Sequence, residues 1–300
     1  MNDEALDRHL EIDELPALRR PTFVAAFRGW NDAGEAATLA VRHLIEAWEA
    51  KPFASIDPEE FFDFTVSRPM IRISEEGQRD LEWPQNRLFF HQRGDDADGD
   101  VVLLLGTEPH LKWRTFTGMV RDLFRKLGGA RLVTLGALVA ATTHTRPLPI
   151  TGFSTEEGLV GRLEGLTISR ARYEGPTGIV GTLHDALRRA ELSAASLWVG
   201  LPPYLGDTAN PRGALTLLEA MDRLFGFVPD TSALVEASKS LDEQVDAALA
   251  NNVEMRTYLA ELERRIDSGV TEAATPDFPP AGDLIGDLEA YLRRQRQGGG

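Results

Sequence analysis

Residues 21 to 28 form a short apolar run rich in Val and Phe. From Asp32 to Ala50 the apolar positions Ala36, Leu39, Ala40, Leu44, Ile45 and Trp48 instead recur on one side of a 3.6-residue repeat. The spacing predicts a strand followed by a helix, with Asn31 or Asp32 at the junction as the cap. Residues 61 to 93 alternate more loosely through Phe62, Phe64, Val66, Ile71, Ile73, Leu81, Leu88 and Phe90, broken by Pro69, Gly77 and Pro84, and read as hairpin strands. Asp100 to Gly106 is a continuous apolar strand of the kind covered on both faces, and Phe116 to Leu127 has helical spacing. The unit then repeats: a strand at Arg131 to Ala141, helices at Thr155 to Leu163 and Thr177 to Ala190, a strand at Ala194 to Gly200, and a helix at Pro211 to Phe225. Alternating strands and helices predict an α/β layer structure with a mainly parallel sheet.

After Gly226 the pattern changes. Leu241, Val245, Ala248, Asn252, Met255, Leu259, Leu262 and Ile266 keep four-three spacing, a seam of about four heptads with Asn252 as its polar, register-fixing member. Leu249 widens the stripe and favours packing on the chain's own domain over self-association. A linker at residues 275–282, a short helix from Asp283 to Arg294 and a disordered Gly-rich tail complete the chain. The domain reading is therefore an α/β core over residues 1–229 and a helical C-terminal segment over 230–300.

Composition narrows the function. The 300 residues hold 32 Lys and Arg against 47 Asp and Glu, a formal charge of −15, and no cysteine. Such a surface repels phosphate backbones, so nucleic acid is not an expected partner. Disulfides, thiolate metal sites and cysteine nucleophiles are excluded. The acidic first residues are unlike a signal peptide, and the longest apolar run, Leu132 to Ala141, is half the ~20 residues of a membrane span. The expectation is a cytoplasmic, soluble protein with no membrane partner.

Motif tests are mostly negative. Gly29 and Gly34 have Walker A spacing, but Glu35 and Ala36 follow where Lys and Ser or Thr are required. The run Asp95, Asp96, Asp98, Asp100 fits no calcium-loop frame and reads as a solvated turn. The six histidines form no metal-binding pair, so no metal and no cofactor are expected. What accumulates is position. Trp30, Asn31, Asp32, Glu108, His144, Arg146 and Tyr204 all lie just past strand carboxyl ends, the rim where open α/β sheets bind ligands. Gly175, Thr177 and Gly178 open a helix whose free N–H groups suit an anion. The competing interpretation makes Asp32 a helix cap, Glu108 and Arg146 a structural ion pair, and His144 a hydrogen-bonded loop residue.

The segment Ala26-Phe27-Arg28-Gly29-Trp30-Asn31-Asp32-Ala33-Gly34-Glu35-Ala36-Ala37 resembles the opening signature of the actinobacterial branch of the proteasome assembly chaperone 2 family. Four further segments resemble it in the same order. They are Gly106-Thr107-Glu108-Pro109 with Trp113 and Phe116; His144-Thr145-Arg146-Pro147; Tyr173 to Ile179; and Leu197-Trp198 leading to Pro203-Tyr204. The resemblance spans roughly residues 20 to 265. It implies a three-layer core like that of nucleoside phosphorylases and related hydrolases, a helical C-terminal part, and homo-oligomers, trimers among them. Thr143 and Pro203 stand where the family often has Pro and His, which removes a histidine from any catalytic set. The ending Arg296-Gln-Gly-Gly-Gly300 lacks the hydrophobic-Tyr-any-residue tail by which family members dock on proteasome rings, and so speaks against docking through the tail.

Two functions follow. The leading one is a non-enzymatic protein-binding or assembly factor that contacts partners through its α/β surface and C-terminal helices. The alternative is a phosphorylase- or hydrolase-like enzyme, or a small-molecule-binding protein, that uses the crevice of Asn31, Asp32, Glu108, His144 and Arg146.

Overall fold

A computed structural model describes residues 8–74, 77–94, 98–166, 168–170, 174–250 and 252–268. In chain order the elements are β1 (Leu10–Ile12), β2 (Thr22–Arg28), α1 (Ala36–Ala47), β3 (Lys51–Ile56), β4 (Met70–Ile73), β5 (Arg79–Glu82), β6 (Asn86–His91) and β7 (Val101–Thr107). There follow α2 (Trp113–Lys126), β8 (Arg131–Val139), β9 (Ile150–Ser154), α3 (Glu157–Gly165), β10 (Ser169–Arg170), α4 (Ile179–Arg189), β11 (Ala194–Leu201), α5 (Pro211–Phe225), α6 (Ser232–Ala250) and α7 (Val253–Asp267).

One nine-stranded sheet runs β1-β3-β6-β7-β2-β8-β11-β9-β10, and β4 pairs only with β5. Its centre is parallel, β7 and β8 flanking β2 and β11 following β8, while β6, β3 and β1 on one side and β9 on the other pair antiparallel. The parallel centre explains the continuous apolar runs. Along β2, Phe23, Ala25 and Phe27 enter one core and Val24 and Ala26 the other. The first core is walled by α2 and α4 through Phe116, Leu123, Phe124, Ile179, Leu183 and Leu187. The second is walled by α1, α3 and α5 through Val41, Leu44, Leu159, Leu217 and Met221. The result is the expected three-layer arrangement of helices, sheet and helices. Gly136, which interrupts the apolar run of β8, lies opposite Trp198 on β11, and a Cβ there would stand 2.5 Å from the indole.

The C-terminal seam is not one helix. α6 ends at Ala250 and α7 begins at Val253, with Asn252 as its cap: the Asn252 side chain accepts the Met255 N–H at 3.0 Å. A residue read as a register-fixing seam position is thus the start of a second helix, which is what asparagine favours. The apolar side chains of both helices, Leu241, Val245, Leu249 and Met255, pack with Tyr204 and Leu205 of the core. Asp100 also departs from the solvated-turn reading. It is buried, accepts the Arg19 and Arg93 N–H groups at 2.7 and 2.9 Å, and pairs with the Arg19 guanidinium. Asp95, Asp96, Tyr173, the linker at 275–282, the helix expected at 283–294 and the tail lie outside the described residues. Among the described residues no helix is long and apolar enough to cross a membrane.

Candidate functional site

The signature residues past the strand ends gather into two knots. The first lies beyond β2 and β7. The turn after β2 hydrogen-bonds to β8 through Ala137 N–H and Asn31 O at 2.9 Å, which fixes Asn31 beside the end of β7. There Asn31 Nδ2 donates to Glu108 Oε1 at 2.7 Å, across 77 residues of sequence. The same oxygen accepts the Ile179 N–H at 2.7 Å, the first amide of α4. Gly178 covers the pair: a Cβ on it would lie 2.5 Å from both Asn31 Oδ1 and Glu108 Oε1. Glu108 therefore supplies the anion that the positive end of α4 attracts.

Asp32, next in sequence to Asn31, faces a different element. Its carboxylate accepts Ala37 N–H at 2.7 Å, Thr38 N–H at 3.3 Å and the Thr38 hydroxyl at 2.5 Å, satisfying the opening amides of α1. Burial pushes its pKa up to about 6, outweighing these donors, which pull it down.

The second knot lies in the loops after β8 and β11. The Tyr204 hydroxyl accepts the His144 backbone N–H at 3.0 Å and sits 2.7 Å from His144 Nδ1. The hydroxyl thus bridges the backbone and the ring of His144, whose other nitrogen, Nε2, lies 3.1 Å from Asp246 Oδ1 on α6. Burial raises the Tyr204 phenol pKa far above its ordinary value, keeping it a neutral donor. Arg146 forms a two-pronged pair with Asp267 on α7, at 3.1 and 2.9 Å, and holds that carboxyl below its usual range. Arg212 on α5 bonds the carbonyls of His144 and Arg146 and pairs with Asp242 on α6 at 3.1 Å. Thr145 bonds Glu263 on α7. Basic groups of the core thus meet an acidic edge of the two C-terminal helices.

Asn31, Glu108 and Gly178 come together, whereas His144, Arg146 and Tyr204 form a separate clamp and Asp32 serves α1. Trp30 is 65% exposed beside the first knot. Gly175 and Thr177 are exposed on the approach to α4. Glu108 and Arg146 are not an ion pair; each has the other partners just described. Sequence reasoning missed Arg212, Asp242, Asp246, Glu263 and Asp267. The only signal for the four acids was an excess of acid along the seam helices, and Arg212, on α5, had none. Among the described residues no group of three or more His, Asp or Glu side chains is placed to hold a metal.

The arrangement matches known proteins over most of its length. The PAC2 family model matches residues 26–249, a span that takes in the first knot, the core residues of the second and nearly all of α6, but not α7. A PAC2 family protein from Streptomyces avermitilis is 36% identical, with a TM-score of 0.72 over 81% of this chain and 99% of that one. A proteasome-assembly chaperone homologue from Mycobacterium tuberculosis is also 36% identical, with a TM-score of 0.71 over 80% of this chain and 99% of that one. A second Mycobacterium tuberculosis protein, of unknown function, is 27% identical with a TM-score of 0.79 over 90% and 95% of the two chains. No curated protein matches the chain. With this span of match, this level of identity and the signature residues converging in space, the chain belongs to the PAC2 family.

Proposed function

We propose that the chain is a non-enzymatic, protein-binding assembly factor of the proteasome-assembly-chaperone kind. It acts in the cytoplasm as a homo-oligomer, through its α/β surface and its C-terminal helices. The observation that carries this reading is how the polar residues at the strand ends are used. Acid–base chemistry needs groups within hydrogen-bond reach of one reacting atom. Here Asp32 is engaged with the first turn of α1, Glu108 with Asn31 and α4, and His144 with Tyr204 and α6. A scaffold needs those bonds, since they tie loops and helices to the sheet. The formal charge of −15 suits a partner that is not itself strongly acidic.

The test is light scattering of the purified chain mixed with purified proteasome α-subunits from an actinobacterium. A complex and faster ring assembly are expected. Superimposable assembly time courses with and without the chain would overturn the proposal.

A further inference from the structure

The hairpin β4–β5 joins no other strand among the described residues, and every position of both strands is exposed. Its register sets Ile71 opposite Leu81 and Ile73 opposite Arg79. One face therefore carries Ile71, Ile73, Leu81 and Arg79, and the other Met70, Arg72, Asp80 and Glu82. The second face is closed by the Arg72–Glu82 ion pair at 2.9 Å. The first is apolar and open: Ile71, Ile73 and Leu81 are 54%, 74% and 52% exposed. Trp83 prolongs it, with its ring against Phe64 at 4.7 Å between centroids. A lone two-stranded hairpin is marginal in water, and an uncovered apolar face on a free edge is a template for association.

We propose that this face is a contact between two copies of the chain, apposed across a two-fold axis through the Ile71–Leu81 pair. Size supports a protein-sized occupant. Half-exposed side chains of this kind offer on the order of 100 Å² each. Ile71, Ile73, Leu81 and Trp83 together bring the face into the range of the largest patches on monomers, roughly 300–600 Å². That is a large share of the roughly 800 Å² each partner gives to a standard interface. Pattern identifies the occupant as the same chain. A two-fold axis reverses the order Arg79, Leu81, Trp83 along β5, so the Arg79 of one copy meets the indole of Trp83 of the other, a cation–π pair formed twice. Charge agrees: two chains of −15 repel over most of their surface, and this face carries no acid. The inference stands on the hairpin alone and is independent of which protein the chain helps to assemble.

The chain has no cysteine, so single introduced thiols report unambiguously. In the full chain under mild oxidation, Leu81→Cys at the axis is expected to give a covalent dimer. Arg79→Cys and Trp83→Cys, each off the axis, should not do so alone, but an equimolar mixture of the two should. Ile73→Asp combined with Leu81→Asp, both exposed in the single chain, should leave the far-UV circular dichroism spectrum unchanged and sediment as a smaller species than the unaltered chain. A Leu81→Cys thiol that stays monomeric, whether open to a thiol reagent or shielded by another part of the chain, overturns the proposal. So does a double-aspartate variant that sediments like the unaltered chain.

Discussion

Tyr204 offers one hydroxyl to two atoms of His144, accepting from its backbone N–H at 3.0 Å and facing its Nδ1 at 2.7 Å. Both residues are almost fully buried. Tyr204→Phe keeps the ring in the small core with Leu241 and Val245 but leaves two buried groups of His144 unpaired. The expected loss is about 1–3 kcal/mol in urea unfolding. The ring also loses the contact that orients it toward Asp246, so amides of α6 and α7 should exchange faster with deuterium than in the unaltered chain, while those of β2 and β7 keep their rates. Unchanged stability together with unchanged exchange would show that the hydroxyl does not hold the clamp.

Gly178 lies over the Asn31–Glu108 pair, and its φ of −91° is open to any residue, so the glycine is required by space rather than by backbone conformation. Gly178→Ala should cost about 1–3 kcal/mol by forcing the two side chains apart. Glu108→Ala should cost a similar amount by leaving the Ile179 N–H and the Asn31 amide without an acceptor. In the double variant the methyl group no longer meets the carboxylate. The combined loss should then fall short of the sum by about 0.5–3 kcal/mol in a double-mutant cycle. Simple additivity would show that the two residues do not share a site.

Asp32 makes stability depend on pH. Its folded-state pKa of about 6 lies above the ordinary 3.8, so the folded chain binds the proton more tightly than the unfolded chain. The resulting stabilisation is complete below the unfolded value and is lost as pH rises through about 6, a change on the order of 3 kcal/mol. Asp32→Asn cannot titrate. Its oxygen still accepts the Ala37 N–H, and its NH₂ can donate to the Thr38 hydroxyl, which in turn has Glu35 O within 3.2 Å. Relative to the unaltered chain, this variant should gain stability between pH 4 and pH 7 in urea titrations. A difference that is flat across that range would contradict the buried-carboxylate account.

The layered core was legible because its determinants are local. β2, β7, β8 and β11 read as continuous apolar runs, since a strand covered on both faces has no polar side to show. Short β1 and β10 left no such trace, and β3, Lys51–Ile56, carries Pro52 and follows a helix directly, so neither its period nor its punctuation stood out. The break at Asn252 was hidden because that residue satisfies two patterns at once: it falls on the heptad spacing, and it is a good helix cap. At the strand ends, position alone brought Asn31 and Glu108 to one rim, and the bond between them is there. The split between that knot and the His144 clamp depends on Asp246 and Asp267, which lie 102 and 121 residues from their partners and follow no periodic rule.

The clamp has a consequence for how such a chain can diversify. The loops after β8 and β11 belong to the rim where open sheets ordinarily take small molecules, and here they are occupied by two helices of the same polypeptide. The anchoring contacts draw on a few acids, Asp242, Asp246, Glu263 and Asp267, and on one apolar stripe. The outward-facing remainder of α6 and α7 bears no burden of holding the core. Exposed residues of those helices can therefore change one at a time, while the sheet beneath them keeps its sequence.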